Sequence, residues 1–502
     1  MEILNAFQYA LSPYPMLWIF IGVASGIFVG AIPGLGGGML MALTVPLTFS
    51  MDSTHAILLL MGMHVGSVSG GLISATLLKM PGTPSAMMTT LDGYPMAQKG
   101  QPGKALSLGI GASLFGGIIS GIFLLALAPP LATFAHKFGP WEYFTMVLMA
   151  LVLIASITQG SMLKGLMAAT LGLLAAMPGL NESDGQLRLT YGFESMDDGF
   201  NLLPVLLGIF VMSQIIKDAL QINKKGVGVA IKKGERIFPK FREWKQHTVN
   251  ILRSSCIGTW VGILPGIGAS ISSMVSYGIA KTFSKTPEKF GTGHEEGIVA
   301  AESANNANAG GALIPLITIG IPGAPVDAIL LGAMIMHQIQ PGPLLFETNS
   351  PLVWSLMTGY LVANIVMFLI MVFSARFLAK VVSINRSYLI PIVFAFCLIG
   401  AYGPSNRMFD VWVVIGFGVL GYFLDRAKFP LGPFVIGYVL AGIMESELRS
   451  GLQMSEGSFA PMITRPIAGS FTVIAFAFLG YSIYQEWRSR TRLSSEDLST
   501  DA

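Results

Sequence analysis

The feature that most constrains this chain is the recurrence of apolar runs about as long as a bilayer is thick, separated by short polar loops. A spanning helix needs about 20 apolar residues, and fewer where it is broken or re-entrant. Runs of this kind lie near 16–33, 36–49, 56–78, 106–135, 141–158, 162–178 and 200–216. After a polar stretch at 217–247 they resume near 251–264, 267–283, 297–319, 324–340, 351–375, 388–402, 409–424, 430–445 and 466–485. Several are too short to cross alone, so about 10–14 transmembrane helices are expected. Charged residues make up 11% of the 502, against roughly 25% in soluble chains. That leaves too little polar surface to face water on all sides. The expected class is an all-α membrane protein.

Lysine and arginine bias sets the expected orientation. Nine basic residues between Lys217 and Lys245 (Lys224, Lys225, Lys232, Lys233, Arg236, Lys240 and Arg242 among them) stand against three acidic ones. This loop is read as cytoplasmic. The preceding loop, with Glu182, Asp184, Glu194, Asp197 and Asp198 around a lone Arg188, is read as external. Counting onward places Arg376, Lys380, Arg386, Arg426, Lys428 and the tail with Arg488, Arg490 and Arg492 inside. Counting back places Lys99 and Lys104 inside and the N-terminus outside. Met1–Pro15 has neither a basic n-region nor a small-x-small cleavage site, so no removable signal peptide is expected. Cys256 and Cys397 sit in apolar segments, which speaks against a disulfide framework.

An internal repeat sharpens the picture. Gly30-Ala-Ile-Pro33-Gly34-Leu-Gly36 matches Gly262-Ile-Leu-Pro265-Gly266-Ile-Gly268, an offset of 262 − 30 = 232. Gly70-Gly71 is paired with Gly310-Gly311, and Pro81-Gly82-Thr83-Pro84 with Pro322-Gly323-Ala-Pro325 at 322 − 81 = 241. The organisation read from this is a first repeat at 1–216, a basic linker at 217–250, a second repeat at 251–485 and a polar tail at 486–502. The loop after the first P-G-x-P is internal by charge and its counterpart at 341–350 is external, so the repeats are expected to be inverted. Inverted repeats with broken helices are a recurring plan of secondary transporters, with the site near the bilayer midplane.

Proline removes an N–H and glycine accepts unusual backbone angles, so P-G within an apolar run must interrupt the helix. Freed backbone groups cost several kcal/mol in hydrocarbon unless buried in protein or lining a wet cavity. A half-helix starting after Gly36 or Gly268 offers free N–H groups and a positive dipole end to an anion. The loops Gly30–Gly38 and Gly262–Ser270 are therefore read either as cradles for substrate carboxylates or as packing kinks without ligand. The P-G-x-P segments (Pro81, Gly82, Thr83; Pro322, Gly323), beside Ser85 and Asp327, are read as second re-entrant tips or as simple helix starts. Glu302-Ser303-Ala-Asn305-Asn306-Ala-Asn308 is the most polar run in an apolar region. Its amides can bind carboxylate oxygens or coordinate Na⁺, or merely join helices. Ser67 and Ser69 are taken as its partners in the first repeat. Among ionisable residues at membrane depth (Lys79, His64, His337, Glu302, Asp327), Glu302 and Asp327 are the candidates for taking up a coupling proton or Na⁺.

There is no G-x-x-x-x-G-K-[ST] phosphate loop, H-E-x-x-H or Cys/His cluster at metal spacing, and no nucleophile stands beside a base. ATP-driven pumping, a bound cofactor or metal, and enzymatic activity are not expected. The basic loop is a topology signal rather than a nucleic-acid surface. A passive channel or facilitator for small anions is the alternative to a gated, ion-coupled carrier.

Several motifs carry a resemblance. They are G-A-I-P-G-L-G-G-G at Gly30–Gly38, K-M-P-G-T-P at Lys79–Pro84, D-G-Y-P at Asp92–Pro95 and G-Q-P-G at Gly100–Gly103. They continue with G-I-L-P-G-I-G at Gly262–Gly268, E-S-A-N-N-A-N-A-G-G at Glu302–Gly311 and I-P-G-A-P at Ile321–Pro325. Together they resemble the large membrane subunit of the tripartite tricarboxylate transporter family over nearly the whole chain. The resemblance implies a bacterial inner-membrane permease that works with a small membrane subunit and a periplasmic solute-binding protein. It further implies citrate or a related carboxylate as cargo, with symport driven by an ion gradient.

Overall fold

The computed structural model describes residues 2–500 apart from 34, 158–160, 182–184, 221–234, 236, 239–240 and 382–385. Gly34, Glu182, Asp184 and the basic residues Lys224, Lys225, Lys232, Lys233, Arg236 and Lys240 thus lie outside the described residues. So do the side chains of Arg386, Arg488, Arg490 and Arg492. Among the described residues the only strands are a two-residue antiparallel pair, Gly179–Leu180 with Leu187–Arg188. Everything else of regular structure is helical. Among the described residues, eight helices are long and apolar enough to cross a membrane. Shorter apolar helices, including Gly37–Thr48 and Pro325–Met336, accompany them. The chain is an all-α, multi-pass membrane protein.

The polypeptide divides into two compact units, residues 1–135 with 203–419 and residues 136–202 with 420–502. The first holds every candidate site residue. Its main helices are α1 (Pro13–Ala31), α2 (Gly37–Thr48), α3 (Ser53–Leu78), α4 (Thr89–Gln98), α5 (Pro102–Ala135), α6 (Phe241–Ile263), α7 (Gly268–Phe283), α8 (Glu295–Ile319), α9 (Pro325–Met336) and α10 (Ser350–Val381). Local sequence explains their ends. Asp52 caps α3 by accepting N–H bonds from Thr54 and His55. Gly320 closes α8 in the left-handed conformation with its N–H on Leu316 O. Pro33 and Pro265 follow the ends of α1 and α6 by two residues, where a missing donor stops helical continuation.

Helix α8 is too polar to qualify as an ordinary span, yet every residue from Gly297 to Thr318 is buried. Helices α5, α6 and α7 pack around it, so its amides and its carboxylate never meet lipid. The same holds for α3, buried from Ala56 to Leu77. These two helices form the interior of the unit, and polar side chains at membrane depth are tolerable only in such an interior.

The second unit packs Pro140–Ile157, Met162–Ala175, Leu431–Met454 and Pro466–Thr500. Gly172 lies against Phe434 O and Gly437 against Ala169 O, the close approach that small residues permit between membrane helices. Trp141, Phe144 and Ala468 form an apolar cluster with Met444 and Leu448. Arg188 grips Glu445 with two bonds of 2.6 and 2.7 Å, and Arg465 Nε donates to Glu142 at 2.7 Å.

Candidate functional site

Two interrupted helices define the site, and the same backbone contacts build both. Helix α1 runs beside α3, and a Cβ on Gly30 would fall 2.3 Å from Ser67 O. Helix α6 runs beside α8, and a Cβ on Gly262 would fall 2.5 Å from Asn308 O. Gly26 against Met63 O is matched by Gly258 against Ala304 O, and Gly70 against Ile27 O by Gly311 against Thr259 O. The offsets are 232 along α1 and α6 (258 − 26 and 262 − 30) and 241 along α3 and α8 (304 − 63, 308 − 67 and 311 − 70). The register pairs Gly70 with Gly311 and Gly71 with Ala312, one residue away from the Gly70-Gly71 to Gly310-Gly311 match suggested by the letters. The physical reason is that Gly70 and Gly311 are the positions where a partner carbonyl leaves no room for a side chain. In this register Ser67 is equivalent to Asn308, and His64 to Asn305.

The P-G-x-P segments close each break. A Cβ on Gly82 would fall 2.1 Å from Gly30 O, and one on Gly323 would fall 3.0 Å from Gly262 O. Gly266 N–H donates to Gly323 O at 2.7 Å. Both segments also start a helix, with Pro84 and Pro325 in its first turn. Pro33, Pro265 and Pro322 are buried, whereas Pro81 is part-exposed. Thr83 Oγ1 lies 3.0 Å from Ser85 Oγ. A Cβ on Gly36 or on Gly268 would meet nothing within 4 Å. Open space therefore faces the chain where α2 and α7 begin, and neither start has a side-chain cap.

The two breaks flank one helix crossing. Ser69 Oγ on α3 donates to Asn306 Oδ1 on α8 at 2.6 Å, and Asn305 Nδ2 approaches Val68 O at 3.4 Å. Ser67 and Asn308 each sit two residues from that crossing, about 3 Å of helix rise. Glu302 accepts from Thr89 Oγ1 at 2.5 Å and Ser113 Oγ at 3.3 Å, with Asn305 Nδ2 at 3.5 Å. Asn306 Nδ2 donates back to Glu302 O at 3.1 Å, and Tyr360 OH to Asn306 O at 3.1 Å. Asn305 Oδ1 and Asn308 Nδ2 are buried with no hydrogen-bond partner among the described residues. Such atoms are an unspent capacity for a carboxylate, a cation or water.

The remaining candidates scatter. The backbone of Ser303 lies against α5, where a Cβ on Gly116 would fall 2.3 Å from Ser303 O, and its hydroxyl has no partner among the described residues. Asp327 and Glu302 do not meet. Asp327 faces His64, whose Nδ1 lies 3.4 Å from Asp327 Oδ1. Lys79 is an exposed, left-handed helix end, and His337 Nε2 lies 3.1 Å from Thr48 Oγ1. Asp92 has the densest set of bonds and was given no role by residue patterns alone. Its Oδ1 accepts from Gly291, Gly293 and His294 N–H at 2.9, 2.8 and 2.7 Å, and its Oδ2 from Tyr277 OH at 2.7 Å. The D-G-Y-P motif was its only signal. Among the described residues no three His, Cys, Asp or Glu side chains converge to hold a metal.

The sequence matches the Tripartite tricarboxylate transporter TctA family over residues 16–436. The chain belongs to that family. The TctA match spans both breaks and all of the polar crossing, so the geometry above is that of a membrane subunit of a transporter family. Over 484 residues, 96% of each chain, it is 34% identical to the "Uncharacterized 52.8 kDa protein in TAR-I ttuC' 3'region" of Agrobacterium vitis. It is also 34% identical over 233 residues to the "Uncharacterized protein in TAR-II ttuC' 3'region" of the same organism, covering 46% of this chain and 96% of the relative. No solved structure matches significantly.

Proposed function

We propose that this TctA-family chain is the translocating subunit of an ion-gradient-driven secondary transporter for tricarboxylates or related small organic acids. A periplasmic solute-binding protein supplies the substrate, and a small membrane subunit assists. One observation carries the reading: two similarly built helix breaks flank a single polar crossing, with open space at both helix starts and, between them, amide atoms without a partner among the described residues. Free N–H groups at the starts of α2 and α7 suit carboxylates. Asn305 and Asn308 supply the remaining polar contacts. The two copies are inverted in the bilayer, so that each break serves one side in turn. The N-terminus is periplasmic and the C-terminus cytoplasmic in the bacterial inner membrane.

The test is uptake of radiolabelled citrate into liposomes holding the chain, its small subunit and its binding protein. Accumulation is expected only under an imposed Na⁺ or H⁺ gradient. Equilibration without a gradient would establish a passive facilitator instead. Asn305→Ala and Asn308→Ala are each expected to lower uptake about tenfold, the value of one hydrogen bond to a charged group, at unchanged expression. Wild-type uptake in both would remove the crossing from the site.

A further inference from the structure

Asp327 sits in the first turn of α9, two residues past the P-G-x-P tip, and is fully buried. Neither carboxylate oxygen has a hydrogen-bond partner among the described residues. Ala324 N–H approaches the carboxyl from the tip but also misses hydrogen-bond geometry. Among the described residues, the ring of buried His64 on α3 is the one group at ion-pair distance, Nδ1 to Oδ1 being 3.4 Å. An ionised carboxylate stripped of donors is unstable at membrane depth. Such a residue needs either a proton of its own or a charged imidazole beside it.

Among the described residues the surroundings bring no other ion into play. Helix α2 packs on α9 and has no titratable side chain. On α3 the other titratable group is His55, nine residues before His64 near the helix start. On α8 they are Glu295 and Glu296 at the helix start and Glu302, which is held by Thr89, Ser113 and Asn305. Tyr360 of α10 places its hydroxyl on Asn306 O and beside Ser120 Oγ. His337, the residue just after α9, lies at its far end against Thr48.

The pair also adjoins the first break. Ser67, one turn beyond His64, fills the space where a Gly37 side chain would go, and Val326 lies 3.5 Å from the Cβ position of Gly38. We infer that His64 and Asp327 form a proton-binding pair, distinct from the Glu302 cluster, that ties anion occupancy of the α2 start to protonation. The inference rests on the transport reading above. Loading forms one O–H bond on Asp327 or one N–H bond on the His64 ring, using a proton from one bathing solution. Release returns that proton to the other, and nothing is oxidised or reduced. With one shared proton the pair is neutral; without it the pair is negative and repels a carboxylate at the helix start.

The test needs no transported substrate. The purified chain in detergent is titrated while the infrared band of buried protonated carboxyls is followed, and circular dichroism checks the fold. A titrating band is expected in wild type. Its Asp327 component should be lost in Asp327→Asn, leaving only what Glu302 contributes, and in His64→Gln the midpoint of that component should move by about one pH unit or more, the effect of losing a neighbouring charge. A band unchanged in Asp327→Asn overturns the pair, as does a wild-type band abolished by sodium chloride at constant pH, which would mark a sodium site. If Asp327→Asn does not fold, His64→Gln decides alone, since a midpoint indifferent to the imidazole also overturns it. Failure of citrate uptake leaves the infrared result standing. A silent Asp327 leaves the transport reading standing.

Discussion

The two interrupted helices share a skeleton and differ in their fittings. In both, glycines let one helix lie on the carbonyls of the next, and a P-G-x-P tip rests on the break. The side chains diverge at equivalent places: Ser67 against Asn308, His64 against Asn305, Ala86 against Asp327. Packing against backbone admits only hydrogen as a side chain, so it preserves glycine in both copies. Positions that face space or polar neighbours are free to specialise. The lesson is that the same glycine-built frame recurs at both breaks, and chemistry is distributed asymmetrically over it.

The strongest way to break this comparison is to overfill the frame. Gly82→Ala would press a Cβ within 2.1 Å of Gly30 O, a rigid backbone atom, whereas Gly323→Ala meets Ala312 Cβ at 2.7 Å and Gly262 O at 3.0 Å. Gly82→Ala should cost about 3 kcal/mol or more and Gly323→Ala about 1–2 kcal/mol, read as melting temperature in detergent. Equal losses would deny the tighter first break. Next in size is Glu302→Leu, which strands the hydroxyls of Thr89 and Ser113 and should cost about 2–3 kcal/mol. Glu302→Gln, which still accepts from one of them, should cost less, and the same melting experiment ranks the two.

A smaller, paired effect sharpens the contrast. Gly36 and Gly268 both face open space, but Gly268 has φ +72° and Gly36 φ −73°. Gly268→Ala should therefore cost about 1–2 kcal/mol through backbone strain and Gly36→Ala only a few tenths. Indistinguishable stabilities would mean that the second break relaxes freely. Smallest of all, Ser69→Ala removes the 2.6 Å bond to Asn306 and should lower stability by about 1 kcal/mol. A neutral outcome would show that a water takes its place.

Much of this organisation was legible in the residues. Apolar run lengths announced a helical membrane protein, and the paired G-x-x-P-G-x-G and P-G-x-P motifs marked both breaks, because proline and glycine act on the backbone locally. What escaped detection depends on partners distant in the chain. Ser69 meets Asn306, Thr89 meets Glu302, and His64 meets Asp327, and no local spacing encodes those meetings. The one-residue shift at Gly70 had the same origin: adjacent glycines look alike until a carbonyl chooses between them. Asp92 was visible as a letter in a motif, but its task depends on where the loop before α8 arrives.

That loop has a mechanical consequence. Helix α4, just past the first tip, is bolted to α7 and to residues 291–294 by the four bonds of one carboxylate. The counterpart contact, α2 against α9, rests on Val326 and Ile329 beside Gly38, greasy surfaces that can slip, with Thr48 and His337 at the far end. Any rocking of the molecule should therefore pivot on the bolted seam and glide on the lubricated one, so that the half-helix carrying Asp327 travels while the half-helix carrying Tyr277 stays put.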